Sequence, residues 1–250
     1  MPLIPVLDLR GGLAVHARGG DRAHYAPAVS RLAPHAQPGD ATAIAAAYAA
    51  LGARDIYVAD LDAIEGRGAQ ELLVRACGAA CGGAAIWIDA GIATPAQAQG
   101  WLEVRGVERV IVGLETMSGM GALGEVVRAV GPGRVVFSLD LRHGVPETRD
   151  DALRRLSPIA LAEAAVRAGA AGVVLLDLAR VGSGAGVDET LAREIAARIA
   201  PAELVVGGGI GNLGDVQRLS ALGVAHVLVA SALHDGRIDG RALARHEPRA

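Results

Sequence analysis

The chain contains no lysine; all 24 of its strongly basic residues are arginine. That absence excludes Schiff-base catalysis through a lysine amine and a P-loop with its phosphate-binding lysine. Abundant arginine and alanine fit a GC-rich coding sequence, which accounts for the missing lysine without any functional reason. Aromatic residues make up only 2% of the chain and the formal net charge is −3. Nucleic-acid binding calls for basic patches and usually stacking aromatics, so no nucleic-acid partner is expected. There are only two cysteines, Cys77 and Cys81, in an expected helix with no further ligands beside them. They read as small buried residues on one helix face and not as a zinc or redox site. No uncharged apolar run is long enough to span a bilayer; the longest candidate, Ala41–Ala53, is alanine-rich and fits a buried helix. Met1–Asp8 runs directly into a strand and lacks a signal-peptide pattern. The expectation is a soluble cytoplasmic protein with no membrane partner.

What is present is ample core material: 52% of the 250 residues are hydrophobic. Short β-branched runs begin near Leu3, Ile56, Ile86, Val110, Val135, Val173, Leu204 and Val227, separated by Ala/Leu-rich helical stretches. Thr94-Pro95 and Ser157-Pro158 each place a capping hydroxyl before a proline at the first helical position. Gly169 stands where a helix-ending glycine belongs. Eight strands alternating with helices predict an α/β fold, a (βα)8 TIM barrel, as one domain over residues 1–250.

The chain also repeats itself. Leu7-Asp8-Leu9-Arg10-Gly11-Gly12 returns as Leu139-Asp140-Leu141-Arg142-His143-Gly144, an offset of 132. Ile56–Asp60 matches Val173–Asp177, Asp89–Ile92 matches Gly207–Ile210, and Val110–Gly113 matches Val227–Ala230, all at 117 or 118. Four pairs in one order predict two related (βα)4 half-barrels, 1–131 and 132–250. The change of offset puts about 15 extra residues in the first βα loop, within Arg10–Asp40.

Active sites in such barrels lie at the C-terminal ends of the strands. Asp8, Asp60, Asp89, Asp140 and Asp177 all stand at or just past a strand end, where an aspartate often simply caps a turn. Asp8 and Asp140 differ in occupying equivalent places in both halves. Across the mouth, one would serve as base and the other as acid if their environments separate their proton affinities. Gly207-Gly208-Gly209-Ile210 after strand seven suits a phosphate, because glycines let backbone N–H groups approach an anion. The Ala230-Ser231-Ala232 turn would complete that site, giving Gly208, Gly209 and Ser231 as phosphate ligands. The overlapping G-x-G-x-x-G at Gly209–Gly214 is a weak dinucleotide signal, late in the chain and without the acidic residue of the next strand. In the first half, Asp89 replaces glycine and Glu115 adds a second acid, an arrangement that repels phosphate unless an arginine intervenes. The long loop carries Arg10, His16, Arg18, Arg22, His24, Tyr25 and Arg31, either closing over the site or lying solvated. His143 beside Asp140 is similarly open.

Ile4-Pro5-Val6-Leu7-Asp8-Leu9 with Gly11-Gly12, Asp60-Leu61-Asp62, Ser138-Leu139-Asp140 and Gly207-Gly208-Gly209-Ile210 resemble the histidine-biosynthesis barrels. These are ProFAR isomerase and the cyclase subunit of imidazole glycerol phosphate synthase. The resemblance covers nearly the whole chain. It implies Asp8 as general base and Asp140 as general acid of an aminoaldose–aminoketose rearrangement, with each half gripping one substrate phosphate. The chain departs from the pattern in places. The family's first-half Gly-Gly-Gly-Ile-Arg reads Asp89-Ala90-Gly91-Ile92-Ala93, and its Gly-Thr after strand four reads Gly113-Leu114. Its Thr-Asp-Ile-x-Arg-Asp-Gly reads Leu176-Asp177-Leu178-Ala179-Arg180-Val181-Gly182. Gly19-Gly20-Asp21 through Tyr25 to Ser30-Arg31-Leu32, with Tyr57–Asp62, looks more like divergent paralogues of these enzymes associated with one-carbon cofactor pathways.

The expected protein is therefore an isomerase of the aldose–ketose type. Its partner is a metabolite bearing one phosphate, and no metal or redox cofactor is implied. Arg18, Arg22, Asp60, Asp89, His143, Asp177 and Arg180 are the candidate substrate contacts. An authentic ProFAR isomerase is the alternative, and a non-catalytic phosphate-ligand-binding barrel the second. The oligomeric state is open.

Overall fold

Side chains alternate along a strand with a period of two, so each barrel strand sends every other residue inward and the rest toward its helices. The computed structural model describes residues 1–245; the last five residues of the expected domain, 246–250, lie outside the described residues. Eight parallel strands form the barrel: β1 (Leu3–Arg10), β2 (Asp55–Asp60), β3 (Ala85–Asp89), β4 (Val107–Gly113), β5 (Val135–Arg142), β6 (Gly172–Asp177), β7 (Glu203–Gly207) and β8 (His226–Val229). Each pairs with the next in chain order, and β8 returns to β1 through Leu3↔Val227, Ile4↔Leu228 and Pro5↔Val229. The sheet is closed. All eight strands begin within three residues of the positions read from the sequence.

The helices follow in turn: α1 (Ala41–Ala50), α2 (Glu71–Ala80), α3 (Pro95–Leu102), α4 (Met120–Val130), α5 (Pro158–Arg167), α6 (Glu189–Ile199), α7 (Leu213–Ala221) and the short α8 (Ser231–His234). Thr94 and Ser157 cap α3 and α5 with proline at the first helical turn, and Asp40 caps α1 by accepting from the Ala43 N–H at 2.9 Å. Each such cap contributes about 1 kcal/mol. Cys77 and Cys81 are free and buried in the layer under the helices, and burial pushes the Cys77 thiol up to about 12.

Two concentric layers make the core. Ile4, Tyr57, Trp87, Ile111, Val136, Val174, Val205 and Leu228, one from each strand, fill the barrel. Their odd-numbered or even-numbered neighbours (Leu7, Val58, Ile88, Val110, Phe137, Val173, Val206 and Val227) pack outward under the helices. Burying each such side chain contributes roughly 1.5–3 kcal/mol. At the N-terminal ends of the strands, Arg109 lies 4.4 Å over the Trp87 ring and donates to Glu203, while Trp87 Nε1 donates to Asp55. This floor is packed, so space remains at the C-terminal mouth.

The long segment after β1 folds back over that mouth. Leu13–His16 pairs antiparallel with β1, and Ala26–Pro27 pairs with Leu13–His16. The Gly19 N–H reaches the Val181 carbonyl at 2.8 Å, tying this segment to the loop after β6. Among the described residues no helix is long and apolar enough to cross a membrane.

Candidate functional site

An open cavity lies at the mouth, and strand register decides which side chains enter it. Asp8 pairs with Ala59, and Ala59 pairs with Asp89, so these three point inward in one row. On the far side, Asp140 pairs with Leu176 and Leu176 with Gly207. Asp8, Ala59, Asp89, Asp140 and Leu176 line the cavity, and β1 and β5 stand four strands apart. Asp8 and Asp140 therefore face each other across the mouth.

The same alternation turns two expected contacts away. Asp60 follows inward-facing Ala59 and points outward. Its carboxylate accepts from the Ala63 N–H (3.1 Å), the Gln70 N–H (2.6 Å) and Gln70 Nε2 (2.9 Å), pinning the loop after β2. Asp177 follows Leu176 and accepts from the His143 and Ala179 N–H groups at 3.2 and 3.1 Å. Asp177, His143 and Arg180 share a separate depression behind the barrel wall, where Arg180 also donates to the Gly186 carbonyl at 3.2 Å. Arg18 is exposed and lies outside the cavity lining, whereas Arg22 and Tyr25 from the same loop reach in.

Four carboxylates and one guanidinium set the field. Burial raises Asp8 to about 7, against the pull of Arg22 and with a push from Asp89. Burial and the neighbouring Glu115 raise Asp89 to about 6, although Tyr57 donates to its Oδ2 at 2.9 Å. Asp140, only 6% exposed, is raised well above the usual carboxylate range by burial, then by Glu115 and Asp89. The Ser138 hydroxyl meets Asp140 Oδ1 at 2.9 Å and partly opposes that shift. Arg22 lies among these acids and is held by Glu115 at 2.7 Å. An arginine thus does stand among the first-half acids, but Glu115 already engages it. Among the described residues, Asp8, Asp89 and Asp140 form no ion pair of their own.

Across the mouth, Gly208 and Gly209 take φ of +84° and +85°, conformations L side chains rarely adopt. A Cβ on Gly208 would stand 3.0 Å from the Asp177 carbonyl, and one on Gly209 would overlap the Gly186 carbonyl. Among the described residues no carbonyl accepts from the Gly208 or Gly209 N–H. By contrast, Asp215 takes the Gly211 and Asn212 N–H groups at 2.7 and 3.1 Å while capping α7. The amides left for an anion are thus the first ones of the glycine run. Ser231 lines the cavity beside them.

Arg237 also lines this end, and sequence reasoning missed it. It comes from the turn after α8, where Asp235 accepts from its Nε at 2.7 Å. Its guanidinium lies so close to Gly184 that a Cβ there would come within 2.6 Å of Nη1. The only prior signal was a basic residue shortly past the last strand. Tyr57 was missed as well, although its place one pair of residues before Ala59 makes it inward-facing. Among the described residues no group of three or more His, Cys, Asp or Glu side chains could hold a metal ion.

The chain is thus a closed (βα)8 barrel with opposed, buried carboxylates at its mouth and open glycine amides beside them. Residues 2–239 match the family described as Histidine biosynthesis protein, and the chain belongs to that family. It is 33% identical to a Thermus thermophilus protein over 95% of this chain and 96% of that one. That relative is named 1-(5-phosphoribosyl)-5-((5-phosphoribosylamino)methylideneamino)imidazole-4-carboxamide isomerase, or ProFAR isomerase. A Halorhodospira halophila isomerase of the same name is 31% identical over 96% of this chain and 94% of its own length. An uncharacterized protein of Methanocaldococcus jannaschii is 29% identical over 96% of each chain.

Proposed function

We propose that the protein is a paralogous isomerase of this family that rearranges a metabolite with a single phosphate, with Asp8 as base and Asp140 as acid. The observation that carries this reading is the placement of the two carboxylates: they oppose each other in one cavity, and burial raises both, Asp8 to about 7. Near neutral pH Asp8 is then partly ionised, as a base must be, while burial shifts Asp140 toward the neutral form an acid needs. On an aminoaldose, Asp140 would protonate the ring oxygen as the C1–O bond breaks, giving an iminium. Asp8 would take the C2 proton, and the resulting enaminol would gain a proton at C1 as its C2 hydroxyl gives one up, leaving an aminoketose. No atom is gained or lost.

The phosphate would rest on the Gly208 and Gly209 N–H groups and the Ser231 hydroxyl, with Arg237 as the nearby cation. Asp89 and Glu115 at the opposite end disfavour a second phosphate. We infer that the protein belongs to a branch of the family distinct from the named isomerases and acts in one-carbon cofactor biosynthesis; its likeness to an uncharacterized archaeal relative is compatible with such a branch. We further infer one domain made of two half-barrels, 1–131 and 132–250.

The alternative, an authentic ProFAR isomerase, draws support from the 33% identity to the Thermus protein over nearly both whole chains. Introducing the gene into a histidine auxotroph that lacks this isomerase separates the two. No growth without histidine is expected; rescue would overturn the paralogue reading. A non-catalytic barrel is the remaining possibility, and an unchanged phenotype for both Asp8→Asn and Asp140→Asn would establish it.

A further inference from the structure

The cavity has two ends of opposite character. β7 and β8 stand across the barrel from β3 and β4. Free amides, a hydroxyl and Arg237 stand at the first end; Asp89 and Glu115 stand at the second, with the Tyr57 hydroxyl of neighbouring β2. We propose that the acidic end receives a protonated nitrogen group, an ammonium or an amidinium, so that the substrate is a dipolar monophosphate with its charges at opposite ends. This deepens the reading above and rests on it for the phosphate end.

Three features carry the inference beyond the presence of acids. Arg22, the cation that lines this end, is already bound to Glu115 at 2.7 Å and leaves Asp89 without an ionic partner. Asp140 borders the same space, is 94% buried, and has only Oδ1 occupied, by Ser138; its Oδ2 has no donor among the described residues. Tyr57 is also buried, and since its proton goes to Asp89 Oδ2 its oxygen keeps lone pairs for a donor. Apart from Arg22, which Glu115 engages, the open groups at this end are carboxylate and phenol oxygens. A group with several N–H donors and a positive charge satisfies them, while a phosphate meets more negative charge than Arg22 offsets. The apolar share of the lining, Val6, Leu176 and Leu228 among them, suits an uncharged linker between the two ends.

The test is calorimetric binding of a ligand set to the full chain: inorganic phosphate, butyl phosphate, aminoalkyl phosphates of graded length, the matching alkyl bisphosphates, and butylamine. The best aminoalkyl phosphate is expected to bind at least about tenfold more tightly than butyl phosphate, a difference of about 1.4 kcal/mol. Every bisphosphate should bind more weakly than the aminoalkyl phosphate of its length. Asp89→Asn, which keeps an acceptor for Tyr57, should bring the amine preference close to one without altering butyl phosphate affinity.

Equal affinity for butyl and aminoalkyl phosphates, or a bisphosphate that binds as tightly as its amino counterpart, would overturn the inference while leaving the phosphate site standing. If no phosphate binds but butylamine binds in an Asp89-dependent way, the monophosphate reading falls and the ammonium site survives. If nothing binds, both fail. The wild-type ligand series decides the matter even if Asp89→Asn does not fold.

Discussion

The β3–β4 and β7–β8 ends of the mouth are built on the same kind of strand and turn, yet they carry opposite charge. At the tip of β7 the inward position is Gly207, whose missing side chain leaves room taken up by Leu176 and Leu228, and Gly208 and Gly209 expose their amides. At the tip of β3 the inward position is Asp89, followed by buried Ala90. Much of the difference between an anion cradle and an acceptor cluster lies in the last inward position and the residue after it, Gly207-Gly208 against Asp89-Ala90. The barrel fixes where such a position points; the side chain there fixes what it attracts.

The largest effect should come from the pair that lies between those ends. Asp8→Asn or Asp140→Asn is expected to lower turnover by about 10²–10⁴, the usual span for a lost general base or acid. Stability should move the other way. Asp8 is raised from the unfolded 3.8 to about 7, so its protonated form stabilises the fold below about pH 4 and that contribution is lost as the pH rises through 7. An amide cannot ionise. Urea unfolding should find Asp8→Asn more stable than wild type at pH 8, by up to about 4 kcal/mol, with no such gain at pH 4. An Asp8→Asn variant that is equally active, or less stable at pH 8, would remove the basis for a catalytic pair.

Gly209→Ala comes next. The new Cβ would overlap the Gly186 carbonyl in a residue at φ +85°, and the Gly186 N–H to Gly209 carbonyl bond of 2.9 Å would be strained with it. Affinity for inorganic phosphate should fall about 100-fold by calorimetry, roughly the loss of two charge-assisted hydrogen bonds. Converting the other end toward the family pattern with Asp89→Gly, Ala90→Gly and Ala93→Arg should act in the opposite sense. It removes one negative charge, opens backbone amides and adds a cation, so an alkyl bisphosphate should gain about tenfold. If it gains nothing, the asymmetry has another source than these three residues.

Much of this was legible before any coordinates. Hydrophobic spacing located all eight strands, and the internal match of Asp8 with Asp140 singled out the two acids that face each other. What the sequence reading passed over was parity. Asp60 and Asp177 also stand at strand ends, but each follows an inward residue, Ala59 and Leu176, and so each points behind the wall to bind backbone N–H groups. Counting in steps of two from Tyr57 or Val174 would have sorted them. The choice of Arg22 over Arg18 and the arrival of Arg237 were not legible in that way. Both depend on how irregular segments close over the barrel, through contacts such as Gly19 to Val181 that no periodic pattern encodes.

The smallest expected effect belongs to Arg22→Gln, and it tests whether the loop tunes the acids or only covers them. Arg22 lowers the proton affinity of Asp8, Asp89 and Asp140, so its loss should raise all three. Carboxyl carbon NMR, with Asp8 assigned by its disappearance in Asp8→Asn, should place the Asp8 midpoint above 7 in the variant by less than about one unit. The rising limb of the pH–rate profile should move with it, costing under tenfold near pH 6 and little at pH 8. Stability should change by about 1 kcal/mol or less, since Arg22 and Glu115 remain partly exposed. A loop that merely covers the site would predict a rate loss equal at every pH and an unmoved Asp8 midpoint. A shifted midpoint would make the inserted loop part of the acid–base machinery, setting the proton affinity of a residue on β1 from a segment outside the eight-strand repeat.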